Sequence, residues 1–133
     1  MFHDLISILC VEPGKHPYAA YIPAEWDAFK HCLGDGPGYA YSGRICLEDD
    51  AVILYNEEAP LADLKGNRKL GNYIIAGIFY ISGFDGSELK PLSKENLEKY
   101  AARFWEPESY TWEEVLTSYF ACFADSIDRL EDL

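Results

Sequence analysis

Two stretches of this chain are almost continuously apolar, residues 5–11 and residues 73–81. Runs of this length, dominated by Ile, Leu and Val with aromatic neighbours, predict strands buried on both faces of a sheet. The first run ends at Glu12-Pro13-Gly14-Lys15. There proline presets φ at the second turn position and glycine accepts a positive φ at the third, so a type II turn is expected. Residues 18–22 then return as a second strand, making the first unit a hairpin. Pro23 suits the first turn of a helix, and Trp26, Phe29 and Leu33 recur at helical spacing as far as Gly34. Beyond the glycine-rich loop 34–38, Tyr39, Tyr41, Gly43, Ile45 and Leu47 alternate with Ala40, Ser42, Arg44 and Cys46. That period of two predicts a half-buried strand. Glu48-Asp49-Asp50 forms a turn before a further strand over 51–55, and 56–72 reads as an irregular polar loop tethered by Leu61, Leu64 and Leu70.

The last third changes period from two to 3.6. Ser93 caps a helix whose buried stripe is Leu97, Tyr100, Ala101 and Phe104, with Leu92 packing on Leu97 and Pro107 ending the run. A longer helix follows. Thr111 and Glu114 have the spacing of a capping box, and Trp112, Leu116, Tyr119, Phe123, Ile127 and Leu130 run down one face with Val115 and Phe120 beside them. Glu114, Ser118, Asp125, Asp128 and Asp132 occupy the opposite face. The expected architecture is one α+β domain over residues 1–133. It would hold a mixed, mostly antiparallel sheet of about five strands with about three helices packed on it.

Composition narrows the function classes. A chain of 133 residues fits one core. Neither apolar run approaches the roughly 20 residues that span a bilayer, and the N-terminus carries no basic region before its apolar stretch, so a cytoplasmic protein is expected. Cys10, Cys32, Cys46 and Cys122 show no C-x-x-C spacing, which predicts reduced, mostly buried thiols. With His3, His16 and His31 they lack the paired spacing of a zinc site, so neither a metal nor a cofactor is expected. The formal net charge is −12, and residues 106–133 carry eight acids against one base, −7 of that total. Such a surface repels phosphate backbones and anionic membranes, which argues against direct nucleic-acid binding and leaves a protein partner as the expectation.

Four short stretches form a recognisable set: residues 11–18 containing Glu12-Pro13-Gly14-Lys15-His16-Pro17-Tyr18, then Asn56-Glu57-Glu58, Asn67-Arg68, and Ile74-Ile75-Ala76-Gly77-Ile78-Phe79. In this order they resemble domain-of-unknown-function family 3846, small proteins of bacterial plasmids, conjugative elements and phages. The resemblance covers about residues 5–108, and the acidic helix over about 111–132 is an addition to it. It implies no reaction and no catalytic residues. Its setting suggests host takeover, anti-defence or plasmid maintenance.

The polar residues of these stretches are the candidate chemistry. A pocket gathering Glu12, Lys15, Asn56, Glu57, Asn67 and Arg68 would suit a small, nucleotide-like ligand, with Arg68 gripping a phosphate or carboxylate through two parallel hydrogen bonds. The competing reading gives these residues to loop organisation, with Arg68 paired to an acid. Paired acids such as Glu57 and Glu58 point to opposite sides of an extended segment and do not converge as acid and base. No G-x-S-x-G elbow or P-loop is present. The helix face of Glu114, Asp125, Asp128 and Asp132 offers a partner-binding surface, although an ordinary solvated face accounts for the same residues and is the favoured reading. The leading expectation is a non-enzymatic accessory protein that binds a host or element-encoded macromolecule. Oligomeric state is not legible in the sequence, although a strand edge near 39–47 offers a place for a second copy.

Overall fold

The computed structural model describes residues 5–24, 42–57, 59–60 and 65–131. Among the described residues, eight strands and two helices follow in chain order: β1 Leu5–Val11, β2 Tyr18–Pro23, β3 Ser42–Leu47, β4 Ala51–Asn56, β5 Gly66–Leu70, β6 Tyr73–Ala76, β7 Phe79–Phe84, β8 Leu89–Lys90, α1 Lys94–Arg103 and α2 Trp112–Glu131. The main sheet has the order β2-β1-β7-β4-β3, with β8 added to β7, and every pairing within it is antiparallel. The α+β class and mostly antiparallel sheet match the sequence reading. The expected helix over 23–34 and loop 34–38 lie mainly outside the described residues. Pro23 itself ends the edge strand β2 opposite Leu5 rather than opening a helix. An edge position is where a residue without an N–H is tolerated in a sheet.

Two expectations are corrected. Residues 73–81 are not one strand: Gly77, at φ +73°, breaks the run, leaving β6 in a second sheet and β7 in the first. A positive φ is cheap only for glycine, so this one residue lets an apolar run serve two sheets. Nor is 56–72 wholly irregular, because β5 pairs with β6 in a two-stranded sheet. β5 escapes a pattern search because its Asn67 and Arg68 are polar yet buried.

The layers follow from alternation. On one face of the main sheet, Leu9, Val11, Ile53, Phe79 and Ile81 pack with Ile75 of β6 and with Leu92, Tyr100 and Phe104 around α1. The other face gathers Ile6, Ile8, Cys10, Val52, Leu54 and Tyr80. Ile74 and Ala76, turned away from Ile75, meet Val115 of α2 in a third cluster. The β5–β6 hairpin is therefore sandwiched between the main sheet and α2. Ser93 caps α1, accepting from the Asn96 N–H at 3.1 Å. The Asn96 amide in turn donates to Asp49 O in the β3–β4 turn at 2.8 Å. That turn holds Asp49 and Asp50 at φ +59° and +58°, a region aspartate enters more readily than most residues.

The capping box forms as the spacing predicts: Glu114 Oε1 accepts from the Thr111 N–H at 2.9 Å, and Thr111 Oγ1 accepts from the Glu114 N–H at 3.1 Å. The docking face of α2 differs from the expected one. Val115 and Ser118 are buried, whereas Trp112 and Phe120 are exposed. Ser118, placed on the polar face by its chemistry, is what the hairpin needs: its Oγ accepts from Ile74 N–H at 2.8 Å and donates to Asn72 O at 3.3 Å. A buried strand N–H requires an acceptor, and a hydroxyl supplies one where a leucine would not. Cys46 and Cys122 are exposed rather than buried, while Cys10 is buried as expected.

Candidate functional site

β1 and β4 flank β7 with Val11 opposite Phe79 and Leu54 opposite Tyr80. Their C-terminal ends therefore emerge at the same end of the sheet, where hydrogen bonds join three of the four motif stretches, those at 11–18, 67–68 and 74–79. The turn after β1 closes with Lys15 N–H on Glu12 O at 3.3 Å and Gly14 at φ +77°, as the type II expectation requires. Beneath this turn lies Asn67, fully buried. Its Nδ2 donates to Val11 O and to Gly77 O, each at 2.8 Å, joining β1 to the break between β6 and β7.

Arg68 is the largest fully buried side chain described. Its Nε donates to Phe104 O at 2.9 Å, Nη1 to Asn67 Oδ1 at 2.8 Å, and Nη2 to Lys15 O at 2.6 Å. Three segments distant in sequence are thereby fixed by one planar fork, a task lysine cannot perform. The acceptor Phe104 O belongs to the C-cap of α1, where unsatisfied carbonyls and the negative end of the helix dipole favour a cation. Burial pulls the guanidinium pKa down, and the Glu108 and Glu106 carboxylates oppose that pull. An arginine stays charged under such a shift. The sequence reading that paired Arg68 with an acid gives way to one with carbonyl and amide acceptors.

Around this hub the surface is more ordinary. Glu12 Oε2 accepts from Tyr18 OH at 2.9 Å and lies 3.6 Å from Lys15 Nζ. The Tyr18 phenol is held well above its usual pKa by its hydrogen bond with Cys10, then by burial and the Glu12 carboxylate. His16 stacks on Trp105 at 4.3 Å between centroids, and its Nδ1 donates to Trp105 O at 2.6 Å. No sequence signal pairs these two residues, which stand 89 positions apart. A groove of about 370 Å³ runs beside the turn, lined by Pro13, Gly14, Lys65, Gly66 and residues 107–110. Glu108 in its wall accepts from Lys69 N–H at 2.8 Å and from Tyr110 OH. Burial and that bond push the Tyr110 phenol up to about 12.

The remaining candidates are placed apart from Arg68. Asn56 is buried at the end of β4, its carbonyl accepting from Ala59 N–H at 3.1 Å. Glu57 is exposed and folds over Gly43, where a Cβ would stand 2.6 Å from its Cγ and 2.7 Å from Tyr55 Cζ. Burial, with Glu57 and Cys122 nearby, raises the Tyr55 phenol to about 12. Glu58 is outside the described residues. Glu114 is exposed and engaged in the capping box. Asp125 and Asp128 lie within α2, and Asp132 lies outside the described residues. Among the described residues, no group of three His, Cys, Asp or Glu side chains is placed to hold a metal ion. Nor is any helix long and apolar enough to cross a membrane.

An antiparallel sheet backed by a helix and a hairpin, with Asn67 and Arg68 bonded beneath its first turn, defines a small α+β protein. A family model described as a domain of unknown function (DUF3846) matches residues 6–105, three quarters of the chain, and the chain belongs to that family. The match stops short of α2. No curated protein and no solved structure matches the chain.

Proposed function

We propose that this is a non-enzymatic accessory protein of a bacterial mobile genetic element, which acts by binding a protein of the host or of the element. One observation carries the reading: the polar motif residues Asn67 and Arg68 are spent on internal bonds, while large apolar side chains remain on the surface. Leu5 is 61 %, Tyr21 72 % and Trp105 47 % exposed. Tyr21 stands opposite Ser7, whose carbonyl accepts from Leu92 N–H at 2.8 Å just ahead of α1; by strand alternation Tyr21 and Leu5 share the face of Leu9 and Val11, which α1 covers only in part. Trp105 follows α1 on that same side, held by His16. Aromatic side chains beside an edge strand suit a protein contact. A ligand gripped by Arg68 has no open approach, because that side chain is fully buried.

Native mass spectrometry of the purified protein, before and after incubation with bacterial lysate, tests this. A discrete captured protein is expected, and its loss in Tyr21→Ala/Trp105→Ala. A bare chain in both runs, or an added mass of a few hundred daltons, defeats the reading.

A further inference from the structure

Trp105 is exposed, yet it is firmly held. Its carbonyl accepts from His16 Nδ1 at 2.6 Å, and the carbonyl before it, Phe104 O, accepts from Arg68 Nε at 2.9 Å. The His16 ring lies nearly parallel to the indole, with 13° between the planes and 4.3 Å between centroids. One face of the indole is therefore covered, and among the described residues no other ring and no cation of the chain meets it. Arg103, two residues earlier, lies over the Phe104 ring and lines a groove against Ile45 and Leu47 of β3. That strand is at the opposite edge of the sheet from β2 and the turn that carries His16. Lys15 is engaged with Glu12, and Arg68 is buried. Glu106, next to Trp105, is exposed and forms no ion pair among the described residues.

We infer that Trp105 and Glu106 form a seat for a basic side chain, an arginine above all, presented by the protein partner. This rests on the docking reading above and adds the partner's chemistry to it. The face of an indole carries the negative lobe of the ring quadrupole and attracts a cation within about 6 Å. A guanidinium meets both halves of the seat, because its plane stacks on the ring while its N–H groups fork onto a carboxylate. The charge of the whole chain, −12, draws a basic partner and repels an acidic one. Tryptophan and arginine are also the residues that dominate contact energies when one of them is seated firmly. Here the seating is built in. His16 and Arg68 hold two successive carbonyls at the end of α1, so little ordering of Trp105 remains to oppose binding. The turn motif and Arg68, closed to a ligand themselves, thereby act on recognition as positioning residues, through the residue at which the family match ends.

Nuclear magnetic resonance of the full chain, titrated with acetyl-hexaarginine amide, is the test. It is read at the indole N–H of Trp105, distinguished from the other two tryptophans by Trp105→Phe, and at the backbone N–H of Glu106. Saturable movement of both signals is expected. Trp105→Leu and Glu106→Gln, shown to be folded by circular dichroism, should each weaken binding about two- to fivefold. His16→Ala should weaken it as well, and His16→Phe should restore part of the loss by keeping a ring against the indole. The double variant Asp125→Asn/Asp128→Asn should leave the Trp105 response in place. A Trp105 signal that stays still overturns the inference. So does hexaarginine binding that survives Glu106→Gln and vanishes in Asp125→Asn/Asp128→Asn. A chain that captures a lysate protein while its Trp105 ignores hexaarginine keeps the docking reading and overturns this one.

Discussion

The hub under the first turn and the C-terminal helix handle burial in opposite ways. At the hub, two strongly polar side chains are fully enclosed, with Asn67 and Arg68 both 0 % exposed. On α2, outside the matched residues 6–105, aromatic side chains stay in solvent while a serine is buried at the contact. The difference shows what decides burial. A polar group goes inside where backbone acceptors or donors left by irregular geometry need a partner, and an apolar one stays outside where the fold offers it no surface. At the hub those orphans are Val11 O, Lys15 O, Gly77 O and Phe104 O. On α2 it is the Ile74 N–H at the outer edge of β6.

The comparison breaks most sharply at Arg68. Arg68→Ala strands two buried acceptors, Phe104 O and Asn67 Oδ1, and the part-buried Lys15 O, and is expected to cost about 3–5 kcal/mol, at the upper end for single substitutions. Arg68→Lys keeps the charge but not the fork, and recovers less than half of that loss. Urea midpoints measure both. A loss below about 1 kcal/mol for Arg68→Ala would mean that water reaches the hub and that the site is open after all. The smaller test is Ser118→Ala, which leaves Ile74 N–H without its acceptor and costs about 1–2 kcal/mol, measured in the same way. Because Ser118 holds the helix to the hairpin, amide exchange in residues 112–120 should rise in this variant while the main sheet keeps its protection.

The smallest effect is a pH dependence at the start of α2. The Thr111 N–H and hydroxyl hold the Glu114 carboxyl below the usual carboxylate range. A depressed folded value stabilises above the unfolded value of about 4.3 and ceases to do so as pH falls through the folded one. The melting advantage of the natural chain over Glu114→Ala should therefore be constant near neutrality and shrink in acid. An advantage that grows below pH 4 would show the capping box to be misassigned.

Most elements that obey a simple period were legible. The buried strand β1, the turn at Pro13-Gly14, the α1 cap at Ser93 and the capping box at Thr111 all follow from residues a few positions apart. The hub was legible only as a set of suggestive residues. Its motif stood out in the sequence, but its chemistry pointed to a ligand, because an arginine beside asparagines looks the same whether it grips a phosphate or three carbonyls. His16 and Trp105 were not legible at all, since nothing local links them. On α2 the periodicity set Ser118 on the polar face, yet Ser118 is buried while Trp112 and Phe120 are exposed.

What the sequence determined by itself is the set of local choices: where strands and helices form, where glycine and proline break them, and which caps hold their ends. These depend on interactions within a few residues. Only the tertiary structure decided which polar groups go inside, which face of α2 meets the protein, and that one apolar run serves two sheets across Gly77. Those outcomes depend on where backbone donors and acceptors are left unpaired once distant segments meet, and no local pattern in the chain records that.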